Sequence, residues 1–165
     1  MDHIANLRRM GLFDARVPRY TSYPSATAFT AGVGADFQRA SLAALDPAVP
    51  VSVYIHIPFC ERLCWFCACA TQGTSTLKPV ENYLRVVQLE LALLARALPA
   101  GIRMGQMQWG GGTPTILPPA MIRGLAQAVK AVIPPSDHFS FSVEIDPTLV
   151  DDAKIAMLAK MGMTR

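Results

Sequence analysis

Val51-Ser52-Val53-Tyr54-Ile55-His56-Ile57-Pro58-Phe59-Cys60-Glu61-Arg62-Leu63-Cys64-Trp65-Phe66-Cys67-Ala68-Cys69 carries two patterns from which the rest of the 165-residue chain can be read. In its first half Val51, Val53, Ile55 and Ile57 alternate with Ser52, Tyr54 and His56. That is the period of a β-strand, and Pro58 ends it. In its second half all four cysteines of the chain fall within ten residues. Cysteines so crowded cannot staple distant parts of a fold. In a reducing compartment they point to metal or redox chemistry.

Downstream of the cysteines the unit of strand, loop and helix recurs. A Thr/Ser/Gly stretch leads to a helix over 79–98, where Val80, Leu84, Val87, Leu91, Leu94 and Leu98 step by four and three along one face. A short strand over 106–109 runs into Gly110-Gly111-Gly112-Thr113-Pro114-Thr115. A helix over 119–132 then carries Ile122, Leu125, Val129 and Val132, and Pro134-Pro135 stops it. The third strand, over 139–145, alternates Phe139, Phe141, Val143 and Ile145 with Ser140, Ser142 and Glu144. The third helix, over 149–161, has Asp151 and Asp152 at its positive end and Lys160 at its negative end, with Gly162 as a cap. Three βα units predict a parallel α/β sheet or barrel. Residues 1–50 read separately, as an irregular arm with prolines and tyrosines over 17–25 and one short helix over 36–45.

Each strand has a polar or small face: Ser52, Tyr54 and His56; Gln106, Gln108 and Gly110; Ser140, Ser142 and Glu144. Strands covered on both sides by helices are usually apolar on both faces. One face is therefore expected to meet the helices. The other lines a polar lumen or, failing that, is simply solvated. Three units cannot close a barrel, and a fourth strand is due where the sequence stops. The chain accordingly reads as the first part of a larger barrel, with 51–165 as its barrel portion and 1–50 as an N-terminal arm.

Composition narrows the function classes. Hydrophobic residues make up 52% and charged residues 16%, against about 25% charged in ordinary globular proteins, which excludes wholesale disorder. The greasiest stretch, over 89–98, is broken by Glu90 and Arg96, so no membrane span is expected. A net charge of +3 without a Lys/Arg cluster gives no reason to expect nucleic acid. The opening Met1-Asp2-His3-Ile4 has no secretory pattern, and a cytoplasmic location is the expectation.

The cysteine spacing is C-x3-C-x2-C-x-C. A structural zinc site usually joins two separated pairs, and only Cys64 and Cys67 form one. A thioredoxin-type dithiol leaves Cys60 and Cys69 unexplained. A bacterial ferredoxin run has different spacing. Four buried, inert thiols are the plainest alternative. C-x3-C-x2-C on one tight loop, by contrast, places three thiolates to hold three irons of a [4Fe–4S] cluster, leaving the fourth iron open to a substrate or cofactor.

At this point the residues resemble a known family. Cys60-x3-Cys64-x-Phe66-Cys67, directly after a first strand, is similar to the radical S-adenosylmethionine (SAM) signature. Arg19-Tyr20-Thr21-Ser22-Tyr23-Pro24-Ser25-Ala26, the fourth cysteine Cys69 and Trp109-Gly110-Gly111-Gly112-Thr113-Pro114-Thr115 together resemble the oxygen-independent coproporphyrinogen III oxidases of that superfamily. Members of that family are more than twice as long. The resemblance implies a [4Fe–4S] cluster on Cys60, Cys64 and Cys67, with Cys69 a nearby non-ligand. It implies one SAM against Tyr54, Gly111 and Glu144, and a second against Phe66, Gly112 and Thr113. The implied activity is oxidative decarboxylation of two propionates of coproporphyrinogen III to vinyl groups, giving protoporphyrinogen IX. It starts when an unidentified electron donor reduces the cluster and SAM is cleaved. Arg19 then reads either as a partner for a substrate carboxylate or as a solvated charge. His56 reads either as tuning the cluster or as a strand residue bonded to a neighbour. The competing reading is a haem-chaperone-like or non-catalytic iron–sulfur or haem-binding fragment.

Overall fold

The computed structural model describes residues 3–11, 13, 25–65, 67 and 69–165. Residues 17–24 of the expected arm, with Arg19, and the expected SAM contact Phe66 lie outside the described residues. The chain divides into two compact units, Met1–Gln38 and Arg39–Arg165. The first contains helix α1 (His3–Arg9) and a 3-10 turn at Ala26–Ala28. Helix α1 was not expected from the sequence: at seven residues it is too short to show a clear period, and none of its residues is buried. Helix α2 (Ala35–Ala43) spans the junction and ends two residues before the predicted boundary.

In the second unit strands β1 (Val51–Ile57), β4 (Met104–Gly111) and β5 (Pro135–Val143) form a parallel sheet in the order β1-β4-β5. A small parallel ladder of β2 (Phe59–Cys60) with β3 (Gln72–Gly73) stands beside it. Helices α3 (Lys78–Ala97) and α4 (Pro119–Val132) join successive strands, and α5 (Asp152–Lys160) follows β5. α4 has the predicted bounds. The second strand is longer at both ends than expected. The third starts four residues early, at Pro135, because the carbonyl of Pro134 already accepts from Met104 N–H at 2.8 Å. Proline at the first residue of a strand forfeits little, since it lacks only the donor.

The third helix is shorter than the expected 149–161. The N–H groups of Leu149 and Val150 turn back onto the carbonyl of Asp146, and the side chain of Asp151 then caps the helix by accepting from Lys154 N–H at 2.8 Å. Its far end is a Schellman turn. Gly162, at φ 86°, donates to Ala159, and Met163 donates to Leu158.

Register makes the alternation of the sequence into rows across the sheet. Ser52 faces Gln106 and Gln106 faces Ser140; Tyr54 faces Gln108 and Gln108 faces Ser142; His56 faces Gly110. The intervening rows are Val53, Met107 and Phe141, then Ile55, Trp109 and Val143. Met107, Trp109 and Phe141 are fully buried in one cluster with Val80 and Val87 of α3, Ile122 and Val129 of α4, and Leu158 of α5. Trp109 and Phe141 meet edge to face at 5.1 Å. The polar rows stay half-buried or exposed, apart from Gly110, which is buried. Beyond β5, Thr164 N–H bonds to the Phe141 carbonyl and Val143 N–H to the Arg165 carbonyl, so the last residues lie along the open edge of the sheet.

Candidate cluster and SAM site

The cysteine loop leaves the sheet at its C-terminal end, where ligand sites of parallel α/β folds lie. Its base is held from two sides. Gln72 N–H donates to the Pro58 carbonyl and Thr74 N–H to that of Cys60. From β4, Gly112 N–H donates to Ile57 and Thr113 N–H to Phe59. Phe59 is buried and packs edge to face on Tyr83 of α3 at 5.7 Å. Cys60 is thereby fixed and buried. Thr113 Oγ1 donates to its Sγ at 3.4 Å, and Thr71 Oγ1 lies 3.4 Å from it. Thr113, expected to face a second SAM, thus reaches the first cysteine.

Cys64, Cys67 and Cys69 are exposed, and all four cysteines are free thiols. Cys67 N–H closes a turn on the Cys64 carbonyl at 3.2 Å. Among the described residues no three His, Cys, Asp or Glu side chains are gathered within reach of one metal ion. The donor chemistry nonetheless fits a [4Fe–4S] cluster: three unpaired soft thiols on one loop, the first pinned at its root. Cys67 beside it holds the Cys69 thiol above its ordinary pKa, and Glu144 and Cys60 add smaller effects of the same sign.

His56 organises the strand end. Its Nε2 is 2.8 Å from the carbonyl oxygen of Ala70, which only accepts, so Nε2 carries the proton. With that proton on Nε2, Nδ1 is the nitrogen that accepts from the Tyr54 hydroxyl, 3.1 Å away. The backbone carbonyl of His56 accepts from the Tyr83 hydroxyl. His56 therefore ties the far end of the cysteine loop to β1. This is the plainer of the two readings of His56, a bond to neighbours, and it bears on the loop.

The glycine run is explained by three different neighbours. A Cβ on Gly110 would lie 2.8 Å from the Glu144 carboxyl; on Gly111, 2.6 Å from the His56 ring; on Gly112, 2.5 Å from the Phe59 carbonyl oxygen. Gly111 also has φ 112°, where side chains are disfavoured. Its N–H donates to Glu144 Oε2 at 3.1 Å. The resemblance sets Gly111 and Gly112 against SAM; the structure adds the protein's own groups, two side chains and a backbone carbonyl, as the nearest neighbours of the run. The sequence could not reveal them, because they lie far away in the chain.

Tyr54, Gly111 and Glu144, singled out separately by the sequence, are thus brought together. Burial, then the Glu144 carboxylate, then Cys69 raise the Tyr54 pKa above its usual 10.0. Sequence reasoning missed Thr71 and Arg62. Arg62 Nη2 donates to Thr148 Oγ1 at 2.6 Å, and it stands 3.8 Å from Asp146 Oδ2.

A parallel sheet with a cysteine loop at its C-terminal end, followed by a glycine turn over a glutamate, defines a class, and comparison agrees. Residues 54–165 match the Radical SAM superfamily, and the chain belongs to it. That membership implies a [4Fe–4S] cluster and SAM as cofactors. More particularly, the chain is 62% identical over its full length to an oxygen-independent coproporphyrinogen III oxidase of Cereibacter sphaeroides, covering 36% of that protein. It is 48% identical to one of Paracoccus denitrificans, covering 37% of it. Among solved structures it resembles the coproporphyrinogen III oxidase HemN of Escherichia coli, a radical SAM enzyme. The TM-score is 0.81 at 32% identity, over 93% of this chain and 34% of that one. The chain therefore spans little more than a third of the length of these relatives. Among the described residues no helix is long and apolar enough to cross a membrane.

Proposed function

We propose that this chain supplies the cluster- and SAM-binding part of an oxygen-independent coproporphyrinogen III oxidase. The reaction converts two propionates of coproporphyrinogen III to vinyl groups, each losing a hydrogen atom, an electron and CO₂. The observation that carries the proposal is the meeting of Tyr54, Gly111 and Glu144 beside the cysteine loop. The identity along the whole chain to proteins of that name supports the substrate. Under this reading Cys60, Cys64 and Cys67 hold the cluster; Tyr54, Gly111 and Glu144 bind one SAM; Phe66, Gly112 and Thr113 contact a second. Bound there, the cluster and SAM supply one-electron cleavage of a carbon–sulfur bond and, through it, hydrogen-atom abstraction.

The residues present suit that task. The N–H groups of Gly111, Gly112 and Thr113 are all engaged within the protein. What this turn offers a ligand is therefore carbonyl oxygen, an acceptor for an ammonium group. Glu144 spends Oε2 on Gly111, which leaves Oε1 as acceptor for a ribose hydroxyl. The Tyr54 hydroxyl is held by His56 and stays protonated through neutral pH.

Anaerobic reconstitution tests the proposal. About four irons and four sulfides per chain are expected, with an EPR signal that changes on adding SAM. Cys60→Ser, Cys64→Ser and Cys67→Ser should each abolish the cluster, whereas Cys69→Ser should keep it. Bound zinc, haem binding without SAM cleavage, or loss of iron in the Cys69→Ser protein would count against it.

A further inference from the structure

Arg62 lies inside the cysteine loop, between Cys60 and Cys64, yet its side chain turns to the segment after β5. The polarity of the contact is fixed. Thr148 Oγ1 donates its proton to Asp146 Oδ1 at 2.7 Å, so the same oxygen is left as acceptor for Arg62 Nη2. Thr148 N–H also donates to Asp146 Oδ1, at 2.9 Å, and the carbonyl of Asp146 takes the N–H groups of Leu149 and Val150. Arg62 thus grips a pre-formed turn and not a loose side chain. That turn begins two residues after Glu144, whose carboxylate is bonded to Gly111. His56 holds the far end of the cysteine loop through Ala70; Arg62 is the corresponding tie near its start.

We propose that Arg62, with Thr148 and Asp146, is a latch that holds the cysteine loop at a set position relative to the Glu144 end of β5, and so acts as a positioning residue for the cluster. The inference rests on the cluster assignment of the preceding section. The Arg62 side chain is 65% exposed, so its removal leaves the buried core untouched. What it fixes is the loop, and hence the spacing between the iron ligands and the SAM contacts.

The test is the rate at which the reconstituted chain loses iron to the chelator bathophenanthroline, without air. Arg62→Gln and Thr148→Val should each speed iron loss about threefold to tenfold, the scale of one exposed charge-assisted contact. The double variant should be no faster than the faster single one, since both remove the same contact. Arg62→Lys, which keeps the charge and one donor, should recover part of the effect, and thermal unfolding of the metal-free protein should move little. If the parent chain loads about four irons but the variants lose them at its rate, or the two effects multiply, the latch is refuted and the cluster assignment stands. If the parent chain loads no cluster, the functional reading itself falls and the latch falls with it.

Discussion

Replacing Gly111 by alanine isolates the contact that builds the site. The new Cβ would stand 2.6 Å from His56 Cε1 and 2.7 Å from Nδ1, where ordinary contacts begin near 3.4 Å. The ring cannot yield freely, because Tyr54 and Ala70 hold its two nitrogens. Displacing it forfeits two hydrogen bonds at about 1 kcal/mol each. Alanine at φ 112° adds about 1–3 kcal/mol of backbone strain. The expected loss is therefore about 3–5 kcal/mol, read from urea unfolding of the metal-free chain by far-UV circular dichroism. In a His56→Ala background the obstacle is gone, and the same substitution should cost only the backbone share of about 1–3 kcal/mol. An equal cost in both backgrounds would refute the argument, as would a loss in the parent below about 0.5 kcal/mol.

Two titrations probe the supports on either side. Burial, then Glu90 and Tyr54, hold the Tyr83 pKa above 10.0, so its contribution to stability is whole below pH 10 and fades as pH rises through the folded value. Tyr83→Phe should cost about 1 kcal/mol near neutrality, from the lost bond to the His56 carbonyl, and the gap to the parent should narrow in alkali; a gap constant with pH would contradict this. Asp146 runs the other way. Hydrogen bonds from Thr148, side chain then backbone, hold its pKa below 3.8, with a smaller push from Arg62. Its contribution is present above 3.8 and lost as pH falls through the lower folded value, so Asp146→Asn should converge on the parent in acid. Urea midpoints that stay equally separated from about pH 6 to about pH 2 would contradict that assignment.

The wall of the site was legible because a strand's side chains alternate without reference to anything distant. Ser52, Gln106 and Ser140 were assigned to polar faces one strand at a time, and the ladder then put them in one row. The same holds for α4, whose apolar stripe and flanking prolines mark its ends. What escaped was short or non-local. The two-residue strands β2 and β3 are below any period, although their pairing roots the cysteine loop. The 3-10 turn at Pro114–Ile116, fully inside the core, likewise shows no repeat.

The glycines show why motif spacing reaches the chemistry only partway. Gly110, Gly111 and Gly112 look alike in sequence, yet one admits a carboxylate from β5's end, one an imidazole from β1, and one the carbonyl that roots the cysteine loop. Each of those groups is then committed: Glu144 to the Gly111 N–H, His56 to Ala70, Phe59 to the Thr113 N–H. The run is therefore less an empty berth than the crossing point of three supports. Conformational freedom alone would let alanine replace Gly110 or Gly112, neither of which has positive φ. Packing forbids it at both, since a Cβ at Gly112 would meet backbone, which cannot swing aside, and one at Gly110 would push the Glu144 carboxylate off the position from which it holds Gly111.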